Sequence, residues 1–235
     1  MSNKLALVFG GSRGIGAACV KALAEGSFDV AYTYVANPTS DHAGARAYRA
    51  DITAPQEVAQ AFDHVQREFG RAPDCVVANA GINVPPAPLA QFKPEAFRQL
   101  VDVNLVGAFN ILAEAARRVT DGGSIIALTT SLVRHAAPGL GPYSATKAAV
   151  ECLVRSLAKE LAARRVRVNA VAPGPVDTDL FRAGKTEEAK QRSAAMSPFN
   201  RVGQPREVAQ VVAFLASDRA SWVHGQIVQP NGGLI

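Results

Sequence analysis

The chain contains few cysteines, few aromatic residues and no apolar run long enough to cross a membrane. Its 235 residues include three cysteines and 6% aromatic residues, whereas a membrane-spanning helix needs about 20 consecutive apolar residues. Cys19, Cys75 and Cys152 are odd in number and show no CxxC spacing, which argues against a disulfide framework and a zinc site. All three lie in apolar patterns that predict burial. We therefore expect a cytoplasmic protein without metal or membrane contact.

A large excess of charge of one sign is also missing. The chain has 25 Lys and Arg against 20 Asp and Glu, with 19% charged and 48% hydrophobic residues, which excludes intrinsic disorder. The densest basic stretches, 117–118 and 164–167, are short and lack interleaved aromatic residues. Both lie near the ends of predicted helices, where cations suit the helix dipole. We therefore predict no nucleic-acid partner.

Short apolar strands alternate with helical patterns along the whole chain. We predict strands at 5–9, 29–35, 45–50, 75–78, 123–129, 166–171 and 226–229, and helices over 14–25, 55–69, 94–119, 142–163, 186–195 and 205–216. This alternation predicts one α/β domain over residues 1–235, a doubly wound Rossmann-type fold. Its seven-stranded sheet would be mostly parallel, with helices on both faces. Segment 36–44 is barely long enough for a crossover helix, which predicts a loop or a single helical turn.

A glycine-rich loop joins the first strand to the first helix. Gly10, Gly14 and Gly16 surround Ser12 and Arg13. Ligands of open α/β sheets bind beyond the carboxyl ends of the strands, and glycine lets the backbone approach a pyrophosphate. The helix that follows offers free N–H groups and a positive dipole end. The position of the loop therefore favours a dinucleotide site over a plain tight turn.

The end of the second strand bears on the identity of the dinucleotide. NAD sites usually place an acidic residue there for the ribose 2′-hydroxyl, but this chain has Tyr34 and Val35. Arg13 in the glycine loop either meets a 2′-phosphate or is a solvated charge. Together these residues favour NADP(H) over NAD(H).

Tyr143 and Lys147 form a candidate proton-transfer pair. Residues four apart share one face of a helix. An ammonium beside a phenol lowers the pKa of the phenol, which can then exchange a proton with a carbonyl oxygen. The same spacing also fits an exposed amphipathic turn, so the pair needs support from other residues.

Further polar residues and a turn support the pair. Ser131 follows the fifth strand, twelve residues before Tyr143, where its hydroxyl can bond a substrate oxygen. Asn104 lies within a predicted helix although asparagine is a poor helix former. It either binds a water linked to Lys147 or is a satisfied buried amide. Pro173-Gly174 follows the sixth strand, at the same edge of the sheet.

Taken in order, these motifs resemble the short-chain dehydrogenase/reductase family, in the branch that includes ketoacyl (acyl-carrier-protein) reductases. The match runs from residue 4 to residue 233. It rests on GGSRGIG at 10–16, Asp51, NAG at 79–81, Asn104, Ser131, YSATK at 143–147 and PGPVDTDL at 173–180.

The resemblance implies a role for each matched residue. Tyr143 would be the proton donor or acceptor, and Lys147 would lower its pKa and hold the nicotinamide ribose. Ser131 would polarise the carbonyl, and Asn104 would complete a proton relay through water. The implied cofactor-binding residues are Gly10, Ser12, Arg13, Gly14, Ile15, Gly16, Tyr34, Asp51, Ile52, Asn79, Ala80, Gly81, Tyr143, Lys147, Pro173, Gly174, Val176 and Thr178.

The chain departs from the family pattern in four places, one of which is Ala78, where the family often has asparagine. Phe9 stands where the family commonly has threonine, so one polar brace below the glycine loop is missing. The short crossover after the second strand leaves the adenosine side more open. Ser131 is one residue closer to Tyr143 than usual, and Thr130 has the commoner spacing. We keep Ser131 because a one-residue deletion in the 132–142 loop is the simpler explanation.

The substrate wall of this family comes from variable loops, here 83–88, 132–142 and 180–199. These loops are mainly apolar, which suggests an apolar ketone, aldehyde or alcohol. The third loop also contains basic residues that either steer an acidic substrate or form a solvated helix face. These residues are Arg182, Lys185, Lys190 and Arg192.

The predicted function is NADPH-dependent reduction of a ketone or aldehyde, or the reverse oxidation of an alcohol. One alternative is a non-catalytic NADP-binding regulator, which should have lost Tyr143 or Lys147. Another is a related lyase or epimerase, but 235 residues leave no room for a separate substrate domain.

The helices that begin at Pro94 and Pro142 are long and carry apolar residues on more than one face. Similar proteins pair these helices across two-fold axes. We therefore expect a homodimer or homotetramer that acts on a small-molecule carbonyl or alcohol.

Overall fold

Seven strands form one sheet in the computed structural model, which describes residues 3–38, 42 and 44–235. The strands are β1 (Lys4–Phe9), β2 (Phe28–Tyr34), β3 (Arg46–Arg49), β4 (Cys75–Ala78), β5 (Ser124–Leu128), β6 (Arg167–Val171) and β7 (Ile227–Val228). Their order in the sheet is β3-β2-β1-β4-β5-β6-β7, and every pairing is parallel. The predicted doubly wound α/β fold is therefore confirmed.

Helices cover both faces of this sheet. They are α1 (Gly14–Glu25), α2 (Pro55–Phe69), α3 (Pro94–Leu100), α4 (Ala108–Arg118), α5 (Leu132–His135), α6 (Gly141–Glu160), α7 (Asp179–Arg182), α8 (Glu187–Ala195) and α9 (Pro205–Ala216). One hydrophobic core lies between the sheet and α2, α4 and α6, and the other between the sheet and α1 and α9. None of the described helices is long and apolar enough to cross a membrane.

The sequence of each strand matches its place in the sheet. The central strands β4 and β5 are buried along their whole length, as expected where helices cover both faces. The edge strand β3 has the sequence RAYR and is mostly exposed. Charged side chains on an edge strand discourage pairing with another sheet.

Parallel strands bring the predicted motifs to one edge of the sheet. The loops after β1, β4, β5 and β6 all leave from the carboxyl ends of their strands. The chain reverses its direction of sheet growth between β1 and β4, and the space between diverging crossovers is where ligands of such folds bind. The fold therefore places the glycine loop beside the motifs after β4 and β5.

The helix predicted over 94–119 is interrupted. A π-helical segment, Val101–Gly107, separates α3 from α4. A π turn adds one residue to a turn without any change in composition, so apolar periodicity does not reveal it. Segments of this kind are frequent at functional sites.

The burial predicted for the three cysteines holds for two of them. Cys19 and Cys75 are buried as predicted, but Cys152 is exposed, because its position on α6 faces away from the sheet.

The described part of segment 36–44 contains no helix. The rest of that predicted loop, 39–41 and 43, lies outside the described residues.

Candidate active site

A cavity of about 1340 Å³ opens at the carboxyl edge of the sheet. Pockets for drug-sized ligands have about 300–1,000 Å³, so this cavity has room for a ligand of dinucleotide size. Many predicted cofactor residues lie on its wall. They are Gly10, Ser12, Arg13, Gly14, Ile15, Tyr34, Asp51, Ile52, Asn79, Ala80, Gly81 and Thr178.

The glycine loop has a backbone that only glycine fits. Gly10 has a φ of 77° and Gly14 a φ of 56°, both in the left-handed region. A Cβ at Gly10 would lie 2.8 Å from the Cα of Ala80, and one at Gly16 would lie 1.9 Å from the oxygen of Gly10. Arg13, the N-cap of α1, makes no side-chain cap hydrogen bond. The loop and helix end therefore fit a pyrophosphate.

The main chain of Gly10 and Gly11 is held by neighbouring elements. The N–H of Gly10 donates to Oγ1 of Thr33 (3.1 Å), and Nδ2 of Asn79 donates to the oxygen of Gly10 (2.9 Å). The N–H of Gly11 donates to the oxygen of Thr33 (3.0 Å), and Nε2 of His42 lies 3.0 Å from the oxygen of Gly11. These contacts fix the loop, and sequence reasoning missed Thr33 because threonine is ordinary in a strand.

Sequence reasoning missed the wall formed by α3 and by the π-helical segment. The additional wall residues are Thr33, Val35, Ala36, Asn37, Pro38, Ala50, Thr53, Ile82, Glu95, Arg98, Gln99, Asp102, Val103, Val106, Asp179 and Leu180. From Tyr34 to Pro38 the wall contains no acidic residue. No local pattern marks α3 as part of the wall, since only the tertiary packing brings it there.

Tyr143 and Lys147 lie on the first two turns of α6. Lys147 is 6% exposed and its Nζ donates to the oxygen of Leu128 (3.0 Å). Burial raises the pKa of Tyr143 to about 12 and lowers the pKa of Lys147 to about 8. The spacing predicts that Lys147 lowers the pKa of Tyr143, but in this structure burial, which disfavours the charged form of both groups, raises it instead.

Asn104 lies in the π-helical segment and is fully buried. Its Oδ1 accepts from the N–H of Ile82 (2.8 Å), and its Nδ2 donates to the oxygen of Ile82 (2.9 Å). This pairing matches the alternative of a satisfied buried amide. A Cβ at Gly81 would lie 3.0 Å from Oδ1 of Asn104 and 3.3 Å from Nζ of Lys147. The amide and the ammonium therefore meet around Gly81, where a side chain has no room.

The hydroxyl of Ser131 bonds residues that follow β6 and β7, and Ser131 is not part of the cavity wall. Ser131 is buried, and its Oγ donates to the oxygen of Ala172 (2.7 Å) and accepts from Nδ2 of Asn231 (3.2 Å). Oγ1 of Thr130 accepts from the N–H of Leu132 (3.3 Å), a bond that leaves its proton free. The Ser131 hydroxyl proton is therefore already donated to a main-chain oxygen, whereas the Thr130 hydroxyl proton is not.

Six predicted cofactor residues lie outside the cavity wall: Tyr143 and Lys147 on α6, and four residues in or beside the loops around the cavity. Gly16 lies under the glycine loop. Pro173 accepts the N–H of Ser131 on its oxygen (2.9 Å), and Val176 is buried in the second core. A Cβ at Gly174 would lie 3.0 Å from the Cα of Asn231. These four residues shape the loops around the cavity, and none of them is part of its wall.

Two of the predicted substrate loops contact each other, and the third contributes Leu180 to the cavity wall. The N–H of Ala87 donates to the oxygen of Gly139 (3.3 Å), which joins the first loop to the second. The third loop contains α7 and α8 and exposes Leu180, Met196 and Phe199. Exposed apolar side chains beside a cavity suit an apolar ligand.

Three of the basic side chains of the third loop have partners within the loop or just before it. Arg182 pairs with Asp177 (2.8 Å), and Lys190 pairs with Glu187 (2.7 Å). Lys185 lies 3.8 Å from the centre of a phenylalanine ring at position 181. These contacts favour a solvated helix face over a site that recognises an acidic substrate.

Comparisons with known proteins agree with this architecture. A family model described as enoyl-(acyl carrier protein) reductase matches residues 10–235. A short-chain type dehydrogenase/reductase of Picea abies is 41% identical over 254 aligned positions, covering 100% of this chain and 93% of that protein. An NADPH-dependent aldehyde reductase-like protein, chloroplastic, of Arabidopsis thaliana is 39% identical, covering 100% and 95%. The crystal structure of a dehydrogenase/reductase from Sinorhizobium meliloti superposes with a TM-score of 0.90 at 33% identity, covering 100% and 96%. The chain is therefore an oxidoreductase of the short-chain dehydrogenase/reductase family.

Proposed function

We propose that this protein is an NADPH-dependent carbonyl reductase that reduces an apolar ketone or aldehyde, or oxidises the matching alcohol. The observation that carries the proposal is the pair of Tyr143 and Lys147 on the first turns of α6, with Nζ of Lys147 close to Gly81 of the cavity wall. One Arabidopsis thaliana relative, 39% identical, is named an NADPH-dependent aldehyde reductase-like protein, and another, 35% identical, is named NADPH-dependent aldehyde reductase 2.

The proposed chemistry needs a hydride and a proton. When bound, a reduced nicotinamide would supply the hydride for the carbonyl carbon. Tyr143 donates the proton to the carbonyl oxygen, and burial keeps its hydroxyl protonated at neutral pH because its pKa is about 12. Lys147, with a pKa of about 8, is mostly charged at pH 7 and favours the phenolate that remains. A protonated tyrosine suits the direction of reduction.

Two hydroxyls compete for the role of polarising the carbonyl. The family resemblance assigns Ser131, but its proton is already donated to Ala172, so the geometry favours Thr130. We expect Thr130→Val to lower kcat about 10²-fold, the size of one lost oxyanion donor. Ser131→Ala tests the resemblance in the same assay. If kcat fell in Ser131→Ala and not in Thr130→Val, Ser131 would be the residue that polarises the carbonyl.

We assign Asn104 to a proton relay in which Oδ1 accepts a second hydrogen bond from a water. The carbonyl oxygen of an amide has two lone pairs, and the N–H of Ile82 occupies one. Nζ of Lys147 lies on the same side of Gly81, so such a water has a second partner. Asn104→Asp keeps the acceptor oxygen, whereas Asn104→Leu removes it. We expect only the leucine variant to lose the relay.

The wall after β2 supports the preference for NADPH. Tyr34, Val35 and Ala36 line the cavity without an acidic side chain, and Arg13 lines it from the glycine loop. We expect Arg13→Ala to raise KM for NADPH about tenfold through loss of a charge-assisted bond. KM for NADH should stay unchanged, because NADH has no 2′-phosphate.

The test of the function is loss of the reduced-nicotinamide absorbance with NADPH and a panel of apolar ketones and aldehydes. Tyr143→Phe should lower kcat at least 10²-fold. Tyr48→Phe is the matched control, since its hydroxyl bonds Glu68 at an exposed site outside the cavity. Equal rates for Tyr143→Phe and the wild type would contradict the mechanism. NADPH binding without turnover of any carbonyl would support the alternative of a regulator.

We further propose that the chain acts as one domain, within a homodimer or homotetramer in the cytoplasm. Exposed Phe97 on α3 and Phe109 on α4 leave apolar surface for a second copy. The three free cysteines suit a reducing compartment.

A further inference from the structure

The polar brace that Phe9 cannot supply comes from another strand. The ring of Phe9 packs against that of Phe62, with 5.8 Å between ring centres, and forms no hydrogen bond with the loop. Both main-chain groups of Gly10 are nevertheless bonded. Asn79 holds the oxygen of Gly10, and Oγ1 of Thr33 accepts its N–H (3.1 Å).

Thr33 is well placed to hold the loop. It lies on β2, whose pairing with β1 sets it beside the start of the loop. Its side chain accepts from Gly10, and its main-chain oxygen accepts from the next amide, that of Gly11 (3.0 Å). Thr33 is 1% exposed, so water does not readily replace its hydroxyl.

We propose that Thr33 is a positioning residue for cofactor binding. Its hydroxyl holds Gly10 at a φ of 77° and thereby keeps the loop in the shape that receives the cofactor's pyrophosphate. Thr33 thus takes over the task of the missing threonine at position 9. This inference rests on the proposed cofactor site and adds a residue that no motif of the chain marks.

The hydroxyl affects binding because the loop borders the cavity. Without Oγ1, the N–H of Gly10 has no buried partner, which is costly. In the cofactor-free protein the loop can relieve this cost by turning the N–H toward water in the cavity. The cofactor must then return the loop to its binding shape. Only such a difference between free and bound states changes affinity.

The test is a fluorescence titration of the purified protein with NADPH, without substrate. Thr33→Val, which keeps the shape and removes the hydroxyl, should raise the Kd about tenfold, equivalent to about 1.4 kcal/mol. Thr33→Ser, which keeps the hydroxyl, should restore affinity to within about threefold, or about 0.7 kcal/mol. At saturating NADPH, kcat of Thr33→Val should equal that of the wild type, while KM for NADPH rises.

Thr120→Val is the control for a lost threonine hydroxyl elsewhere in the fold. Oγ1 of Thr120 donates to Oδ1 of Asp74 (2.9 Å) before β5 begins, at the opposite edge of the sheet. We expect this variant to lose stability without a change in Kd. An unchanged Kd in Thr33→Val, or a Kd for Thr33→Ser equal to that of the valine variant, would overturn the inference. A wild-type protein that does not bind NADPH would overturn the proposed function instead.

Amide hydrogen exchange tests the same inference without a variant. In the cofactor-free wild type, the N–H of Gly10 should exchange more slowly than those of Ser12 and Arg13, which line the cavity. Equally fast exchange at all three residues would overturn the inference even if Thr33→Val did not fold.

Discussion

At the scale of single residues, the site depends on small groups that leave room for functional ones. Gly81 has no side chain, and the amide of Asn104 and the ammonium of Lys147 occupy the space around it. Burial then sets the protonation of the pair on α6, since it raises the pKa of Tyr143 and lowers that of Lys147. The chemistry of the site is therefore sensitive to single methyl groups and single charges.

Gly81→Ala should lower kcat with little loss of stability. The new methyl would lie 3.3 Å from Nζ of Lys147 and 3.0 Å from Oδ1 of Asn104, and the flexible lysine would move away. We expect a fall in kcat of about tenfold or more, since a shift of about 1 Å can cost 10²-fold. Gly141→Ala is the control, because a Cβ there meets no atom within 4 Å. Equal kcat values for the two variants in a steady-state assay would contradict this prediction.

Lys147→Met should stabilise the cofactor-free protein at pH 7 while abolishing activity. The wild type holds a buried ammonium whose pKa falls from 10.5 to about 8 on folding. Below pH 8 this cost is fully present. Between pH 8 and 10.5 the unfolded chain binds more protons, so the wild type recovers stability as pH rises. Lys147→Met also loses the hydrogen bond to Leu128. With this loss included, we expect its free energy of unfolding at pH 7 to exceed that of the wild type by about 2 kcal/mol.

Urea unfolding at pH 7 and at pH 10 checks this prediction. The advantage of Lys147→Met over the wild type should shrink as pH rises toward 10.5. Lys21→Met, on an exposed position of α1, controls for the removal of a lysine. A stability difference that stayed constant with pH would show that burial of the charge is not its cause.

At the scale of elements, basic side chains complete the ends of helices. The guanidinium of Arg167 on β6 is buried and donates to the oxygens of Leu215 (2.5 Å) and Ser217 (3.2 Å) at the end of α9. Nη1 of Arg164 donates to the oxygen of Ala116 (2.5 Å), in the last turns of α4. The basic stretch at 164–167 therefore satisfies carbonyls that a helix leaves unpaired.

Arg167→Met should destabilise the fold without changing the chemistry. The substitution leaves several carbonyls at the end of α9 without their donor, which costs roughly 2–4 kcal/mol. Arg165→Met, at an exposed neighbouring position, should change the free energy of unfolding by less than about 0.5 kcal/mol. Urea unfolding measures both, and kcat per folded molecule should be the same in each. If Arg167→Met were as stable as Arg165→Met, the hydrogen bonds from Arg167 to the end of α9 would not contribute to stability.

At the scale of the whole molecule, the order of the strands creates the site. The sheet grows in opposite directions from β1 and β4, so their loops diverge and leave the cavity between them. The helices beside this cavity also carry exposed apolar residues, including Phe109 with 52% of its surface exposed. We propose the exposed apolar surface of α3 and α4 for assembly.

Phe109→Glu should separate the assembled protein into smaller species. A charge placed in an apolar interface is costly to bury, so light scattering at micromolar concentration should give a lower mass than the wild type. The wild type should have the mass of two or four chains. Phe199→Glu is the control on the exposed third substrate loop and should leave the mass unchanged. A wild type with the mass of one chain would refute assembly.

The sequence by itself determined the fold class, the glycine loop and the Tyr143–Lys147 pair. Each of these follows from a local pattern: strand and helix periods, glycines between β1 and α1, and a spacing of four residues on one helix. The same local view missed the π-helical segment around Asn104, because an added residue in a turn has no signature in composition.

Only the tertiary structure decided where the remaining polar groups point. The hydroxyl of Thr33 reaches Gly10 across 23 positions of sequence, and that of Ser131 reaches Ala172 across 41. The direction of the pKa shifts of Tyr143 and Lys147 was likewise set by burial, which the i, i+4 spacing does not report. Hydrogen bonds between distant strands and loss of water depend on packing in three dimensions, and a one-dimensional pattern has no access to either.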